Sequence, residues 1–293
     1  MATPEFIKIG AVSAVANDKQ QFNLNVKRGG TYKRLWLRIF NGSSAATISA
    51  AITAISTISL RAGQNSGEKT IIDRAKPRFL WMLETYYGAY KGVTNTPGVL
   101  PIDPASVLGL SAYDRNVYSI GTADLLSLSL DIEFGAAVTG VTSVELWAEY
   151  DAFNVQPLGA YVEMRRVNPA IAANATELEI NNLPRFNSGV GIAALHIEQL
   201  NSSVIGSIDI QLEGKDRIYP DVPTAILNKK LFAARRTPQS TITHVDFSAD
   251  DFVGAFLRGG MGQWKVTPKF STAPTANGNL PIWVVAMHLP AKV

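Results

Sequence analysis

Leu126-Ser-Leu-Ser-Leu-Asp-Ile-Glu-Phe134 puts an apolar residue at every even position and a polar one at every odd position. Successive side chains of a strand point to opposite faces, so strict period two reads as a strand with one face on a core and the other in water. Antiparallel sheets tolerate that asymmetry. The same grammar recurs in residues 21–26, 32–40, 144–150, 176–180, 192–198, 208–212, 241–247, 263–270 and 282–289, with Gly, Asn and Pro in the gaps. Many short strands at this spacing predict an all-β chain of sandwiches or barrels.

Three stretches need separate treatment. Residues 78–90 carry Leu80, Leu83, Tyr87 and Tyr90 as one helical stripe, expected to face a core or an interface. Residues 222–236 form the second expected helix, with Asp221 as N-cap, Pro223 in the first turn, and Arg235 and Arg236 at the negative pole of the dipole. Residues 47–60 are ambiguous. Ile48, Ile52 and Ile55 fit a helix, whereas Ile48, Ala50, Ile52, Ala54, Ile58 and Leu60 share one parity. The β-branched content and the nearby Asn41-Gly42 turn favour a strand.

An internal repeat organises the whole. Leu37-Arg-Ile-Phe-Asn-Gly-Ser-Ser44 and Leu195-His-Ile-Glu-Gln-Leu-Asn-Ser-Ser203 each join a strand to an Asn-containing turn and a Ser pair, and each is followed by a β-rich stretch and a helix. Toward the end of each half, Phe134 corresponds to Phe270 and Trp147 to Trp283. One β-domain used twice is the reading, residues 1–158 and 159–293, with a seam near Pro157-Leu-Gly159.

The 293 residues carry 27 Lys+Arg against 24 Asp+Glu and are 46% hydrophobic, an ordinary globular composition. Zero Cys excludes disulfide scaffolds, thiol nucleophiles and Cys-type zinc sites. The start lacks a secretory leader, so synthesis in a cytoplasm is expected and the sequons at Asn41, Asn174 and Asn201 carry little meaning. No charge falls between Arg38 and Arg61, but the Ser and Thr content there is too high for a spanning helix. Charge is polarised along the chain. Residues 1–40 hold seven bases and two acids, an excess of +5, while residues 119–151 hold six acids and no base. Either two solvated faces or an orienting field follows from that. The small net charge gives no reason to expect a sequence-specific nucleic-acid partner.

Chemistry is sparse. His196, His244 and His288 share no spacing that sets two ligands on one strand or helix face, so structural histidines are expected. Gly189-Val-Gly191 and Gly259-Gly-Met-Gly262 precede strands rather than helices and read as turns. The pairs Asp131/Glu133 and Glu177/Glu179 lie on the polar parity of amphipathic strands, and Asp250-Asp251 adds a third acidic pair. No catalytic residue, cofactor or metal ligand is expected. Charged residues are only 17% of the chain, and Trp36, Trp81, Tyr86, Tyr87 and Tyr90 are available for contacts, a composition that fits extensive subunit burial.

Tyr161-Val-Glu-Met-Arg-Arg166, Glu179-Ile-Asn-Asn-Leu-Pro-Arg185, Ile192-Ala-Ala-Leu-His-Ile-Glu198 and Ile208-Asp-Ile-Gln-Leu-Glu-Gly214 follow one another in an order and spacing that resembles the double jelly-roll major capsid proteins of tailless, internal-membrane-containing icosahedral bacteriophages, of the corticovirus type. Residues 32–38 and 121–134 are similar more loosely. The resemblance implies two tandem jelly-roll β-sandwiches, each with a short helical insertion, and homotrimers that form pseudo-hexameric capsomers of a virion shell over an internal membrane. Penton or spike proteins and minor membrane proteins are the implied partners. It also implies termini on the inner side, with Lys8, Lys19, Lys27 and Arg28 as candidate membrane-facing bases. Calcium is implied by resemblance alone, with no loop to assign it to. Residues 94–114 are expected to form an added tower or interface loop. A tandem β-sandwich that stacks sugars on exposed Trp and Tyr is the alternative, and a bicupin-like or glycosidase enzyme is a third reading.

Overall fold

A computed structural model describes residues 5–27, 29–87, 98–103, 119–181, 183, 190–212, 216–249, 257–258 and 264–288. The chain divides into two compact units, Met1–Met164 and Arg165–Val293. Unit 1 contains β1 (Glu5–Ser13), β2 (Lys19–Asn23), β3 (Thr31–Asn41), β4 (Ser44–Ala45), α1 (Ile48–Ala54), β5 (Ile55–Gln64), β6 (Gly67–Ala75), α2 (Pro77–Tyr87), β7 (Val99–Ile102), β8 (Ile120–Gly121), β9 (Leu125–Phe134) and β10 (Ser143–Asp151). The division falls within β11 (Tyr161–Val167). Unit 2 continues with β12 (Ala170–Ile171), β13 (Val190–Glu198), β14 (Val204–Leu212), β15 (Asp216–Pro223), α3 (Thr224–Ala233), β16 (Ile242–Asp246), β17 (Leu257–Arg258), β18 (Trp264–Thr272), β19 (Gly278–Asn279) and β20 (Ile282–His288).

In unit 1 one sheet runs β1-β10-β3, with β4, β7 and β8 on the free edge of β3, and the other runs β2-β9-β5-β6. Each sheet contributes its apolar parity to the core. Leu37 stands opposite Leu146 and Ile39 opposite Val144 in the first sheet, and Leu60 opposite Leu130 and Ile58 opposite Ile132 in the second. All eight are buried, and such facing apolar pairs are what hold a sheet together. The alternation of residues 126–134 holds in β9: Leu128, Leu130, Ile132 and Phe134 are buried, and Leu126 is the exception at 66% exposure.

Residues 47–60 correct the expectation of one strand. Ile48–Ala54 is helix α1, and only from Ile55 does the strand run. The reason is local: the Thr47 hydroxyl accepts the Ala50 N–H at 3.1 Å as an N-cap, and Thr53 bonds back to the Ser49 carbonyl. Residues 78–90 are helical as expected through Tyr87, with Leu80, Leu83 and Tyr87 buried, while Tyr90 lies outside the described residues. Within the expected tower of residues 94–114, β7 is a sheet strand paired with β3 and buried at Leu100 and Ile102. Residues 94–97 and 104–114 lie outside the described ones.

In unit 2 one sheet runs β16-β13-β20-β11, with β17 also on β13, and the other runs β15-β14-β18. Glu177 and Ile180 bridge to β18 on its far side. Leu195, Ile197, Val245, Ile282 and Val284 from the first sheet meet Ile205, Ile208, Ile210 and Val266 from the second in one core. The second helix starts later than expected. Val222 and Pro223 finish β15, α3 opens at Thr224 without a side-chain cap, and Asp221 bonds Ser207 and Lys269 instead.

The repeat is real in topology. β3 and β13 carry the two quoted strand-turn segments, Phe134 and Phe270 lie in β9 and β18, and Trp147 and Trp283 lie in β10 and β20. In each unit the Trp strand pairs with the strand before the Asn turn. The units differ in cover: β10 alternates buried and half-buried residues, whereas β13 and β20 are buried on both faces for nearly their whole length.

Candidate functional site

Strand register brings together two histidines whose sequence spacing gives no hint of it. His196 of β13 stands opposite His244 of β16, and their Nδ1 atoms are 2.7 Å apart. His288 belongs to another place. It faces Val190, while His196 faces Trp283, so five residues of β20, about 17 Å, separate it from the pair. Among the described residues no group of three or more His, Asp or Glu side chains could hold a metal ion. Of the paired carboxylates, Asp131, Glu133 and Glu179 are engaged in ion pairs. Asp131 pairs with Lys19 at 2.9 Å, Glu133 with Arg74 at 3.0 Å and Glu179 with Lys265 at 2.9 Å. Asp250, Asp251, Gly189 and residues 259–262 lie outside the described ones.

The charge polarity of the sequence is largely cancelled inside unit 1. β1, β2 and β3 carry the bases, β9 and β10 carry the acids, and the sheet order interleaves them. Lys8 and Arg38 reach Glu145, Lys33 reaches Asp151 at 3.4 Å, and Arg34 reaches Asp103 at 3.3 Å and Glu149 at 3.7 Å. Hydrogen bonds from Lys8 and from the Trp147 indole hold the Glu145 carboxyl below its usual range.

The candidate basic residues are not gathered at one place. Lys8 sits mid-strand in β1 opposite Trp147. Lys19 opens β2 opposite Glu133, whereas the other end of β2 is held by the Leu24 N–H on the Leu128 carbonyl. Lys27 is exposed beyond that second end, and Arg28 lies outside the described residues. The Lys27 end also carries exposed apolar side chains. Val155 packs over Gly29, the Thr31 hydroxyl donates to the Asn154 carbonyl, and Phe153 and Val155 are 78% and 60% exposed. Phe6, exposed too, starts β1 at the same end.

A sugar-stacking platform is absent from the tryptophans. Trp264 and Trp283 are buried, and Trp36, Trp81 and Trp147 are half-buried. Tyr86 and Tyr87, expected to be available for contacts, lie in the core of unit 1. The exposed apolar surface is elsewhere. On α3, Ala225, Ile226, Lys229, Phe232 and Ala233 form one outward helical face with a single charge.

No protein-family model and no curated protein matches the sequence. Solved structures do. The major capsid protein P2 from Bacteriophage PM2 superposes with a TM-score of 0.76 at 16% identity, over 98% of this chain and 98% of that one. The major capsid protein of Sulfolobus Turreted Icosahedral Virus follows at a TM-score of 0.68 and 13% identity, over 97% and 96%. PBCV-1 VP54, a structure fitted into a reconstruction of the virophage Sputnik, gives 0.62 at 10% identity, over 100% and 98%. The fold is the double jelly roll. The double jelly roll accounts for the repeat, because each unit needs the same eight-strand order to close its two sheets. It also accounts for the position of α2 and α3, each of which follows the second strand of a hairpin, β5–β6 or β14–β15.

Proposed function

We propose that the chain is a structural major capsid protein, assembling as homotrimeric, pseudo-hexameric capsomers that tile an icosahedral shell over an internal membrane. The observation that carries this reading is the match of both units, in order and over 98% of each chain, to a phage capsid protein. Two similar units per chain give a trimer six similar edges, the condition for hexagonal tiling. The outward face of α3, apolar around one lysine, suits contact between copies. The virion is the resulting location, and penton, spike and minor membrane proteins are the further partners of such a shell. Catalysis has no part in it. Light scattering behind size exclusion, over a range of protein concentration, tests the reading. The expected species is a trimer of roughly 95 kDa, three chains of 31.6 kDa, or larger closed particles. A monomer that persists at high concentration overturns it.

Contact with the membrane is proposed through the end of unit 1 that carries Lys27, Phe153 and Val155, since an exposed base beside apolar side chains suits an anionic bilayer. Lys8 and Lys19 are committed to Glu145 and Asp131. Lys27→Gln is therefore expected to weaken binding to phosphatidylserine-containing vesicles roughly five-fold, and Lys8→Gln with Lys19→Gln to leave it within two-fold. Equal binding by Lys27→Gln and the natural chain removes this end from the membrane contact.

A further inference from the structure

Among the described residues the His196–His244 pair joins no group that could hold a metal ion, and both rings are out of solvent on the face of β13, β16 and β20 opposite the core of unit 2. The Gln239 backbone N–H donates to His244 Nε2 at 3.3 Å. A backbone N–H offers no lone pair, so Nε2 accepts and the single proton of His244 sits on Nδ1. That proton is donated to His196 Nδ1, which leaves the proton of His196 on Nε2. The pair is a neutral relay with one direction, from Gln239 through His244 to His196.

An added proton has two places to go, His244 Nε2 and His196 Nδ1, and an N–H already points at each. The surrounding charges give it no welcome. From the segment after α3, Arg236 stands 3.4 Å from Asp246, both almost fully buried. The Asp246 carboxylate also takes the Ser248 N–H at 2.8 Å and hydroxyl at 2.6 Å. On the same face Glu198 accepts the Trp283 indole N–H at 2.7 Å, and Arg166 lies over the Trp283 ring. Burial pulls both histidines down, His196 well below the ordinary value and His244 to about 3.

We propose that this relay is an acid-released latch: the neutral His244 ring holds residues 236–241, the connection from α3 to β16, through Gln239, and protonation of the pair frees that connection. The segment is also tied by the Arg236–Asp246 pair, by the Arg236 N–H on the Leu231 carbonyl, by the Ile242 N–H on the Gln239 carbonyl and by the Gln199 N–H on the Thr241 carbonyl. Because the folded values lie below the unfolded one, the stability from the neutral pair is complete above about pH 6.5 and is lost as pH falls from there toward the folded values.

Denaturant unfolding of the full chain between pH 7.5 and 5, above the range of ordinary carboxyls, reads the effect. With two histidines that take up protons only on unfolding, the unfolding equilibrium constant of unit 2 is expected to rise about a hundredfold per pH unit below pH 6.5. The double variant His196→Asn with His244→Gln keeps an acceptor for Gln239 and does not titrate, so its slope in this window is expected to be flat. Equal slopes in the two proteins overturn the latch. Nitrogen NMR of the natural chain at pH 7.5 gives a check that needs no variant. The expected pattern is Nδ1–H on His244 and Nε2–H on His196; the opposite tautomers, or an imidazolium at either, overturn the latch as well.

Discussion

Trp283→Ala is expected to destabilise unit 2 by about 3–5 kcal/mol, the range for removing a large aromatic from a close-packed interior. Trp283 has no solvent exposure, its indole N–H is bonded to Glu198 at 2.7 Å and its ring lies under Arg166. Truncation leaves a cavity, strands a carboxylate that has lost its donor, and removes the face on which a guanidinium rests. The control is Trp147→Ala. It occupies the equivalent strand of unit 1, but it is half-buried and its indole reaches Glu145 near the surface. A loss of about 1–2 kcal/mol is expected there, because less apolar area is given up. Guanidinium unfolding of the two variants decides the matter. Equal losses would mean that the two-sided burial of β20 contributes nothing beyond ordinary half-burial.

Glu84→Gln is expected to stabilise unit 1 at neutral pH, which is unusual for a buried change. Glu84 is on α2, 6% exposed, and its Oε1 has no hydrogen-bond partner among the described residues. Burial first, and the neighbouring Asp103 carboxylate second, push its carboxyl up from 4.5 to about 10. The folded protein therefore keeps Glu84 protonated, while the unfolded chain ionises it above about pH 4.5. Ionisation draws the equilibrium toward unfolding, so stability is lost as pH rises from about 4.5 toward 10, at about 1.4 kcal/mol per pH unit. At pH 7 the cost is on the order of 3 kcal/mol. The glutamine side chain has the same shape and no proton to lose. Chemical unfolding of both proteins at pH 5 and pH 8 is the measurement, read as the difference between them, which cancels the opposite trend of the histidine pair: unit 1 of the natural chain loses stability relative to Glu84→Gln as pH rises. If both change equally, Glu84 is ionised in the folded state and the argument from its burial is wrong.

Strands and repeat were legible in the sequence because both rest on local pattern. Period two in residues 126–134 comes from one face meeting a core, and Phe134/Phe270 and Trp147/Trp283 recur because two units solve the same closure problem. Local competition produced the errors. Ile48 to Ala54 satisfies helix and strand periods alike, and the choice was made by the Thr47 cap. Asp221 has the chemistry of an N-cap, but Ser207 and Lys269 on neighbouring strands took its carboxylate. Residues 192–198 and 282–289 were grouped with the alternating strands, yet Ile192–Leu195 and Ile282–Met287 are unbroken apolar runs, and they belong to the strands buried on both faces. Long-range pairing was beyond reach. Nothing in the sequence near His196 announces His244, and nothing near Lys8 announces Glu145, 137 residues away. The polarity of charge along the chain therefore left solvated faces and an orienting field both open, when sheet order turns most of it into internal pairs.

The placement of β10 between β1 and β3 also sets a clock. β1 is complete at residue 13, but the strand that covers its edge begins at residue 143. At the roughly 5–20 residues per second of translation, β1 waits on the order of ten seconds for its partner. The β5–β6 hairpin, closed at Gln64 and Gly67, has all its residues long before that. For that interval β1 offers an unpaired edge carrying Phe6, Ile7 and Ile9 to any other nascent chain, the situation in which strands join the wrong neighbour. Yield of the folded protein is thus expected to depend on how fast, and how far apart, copies are being made.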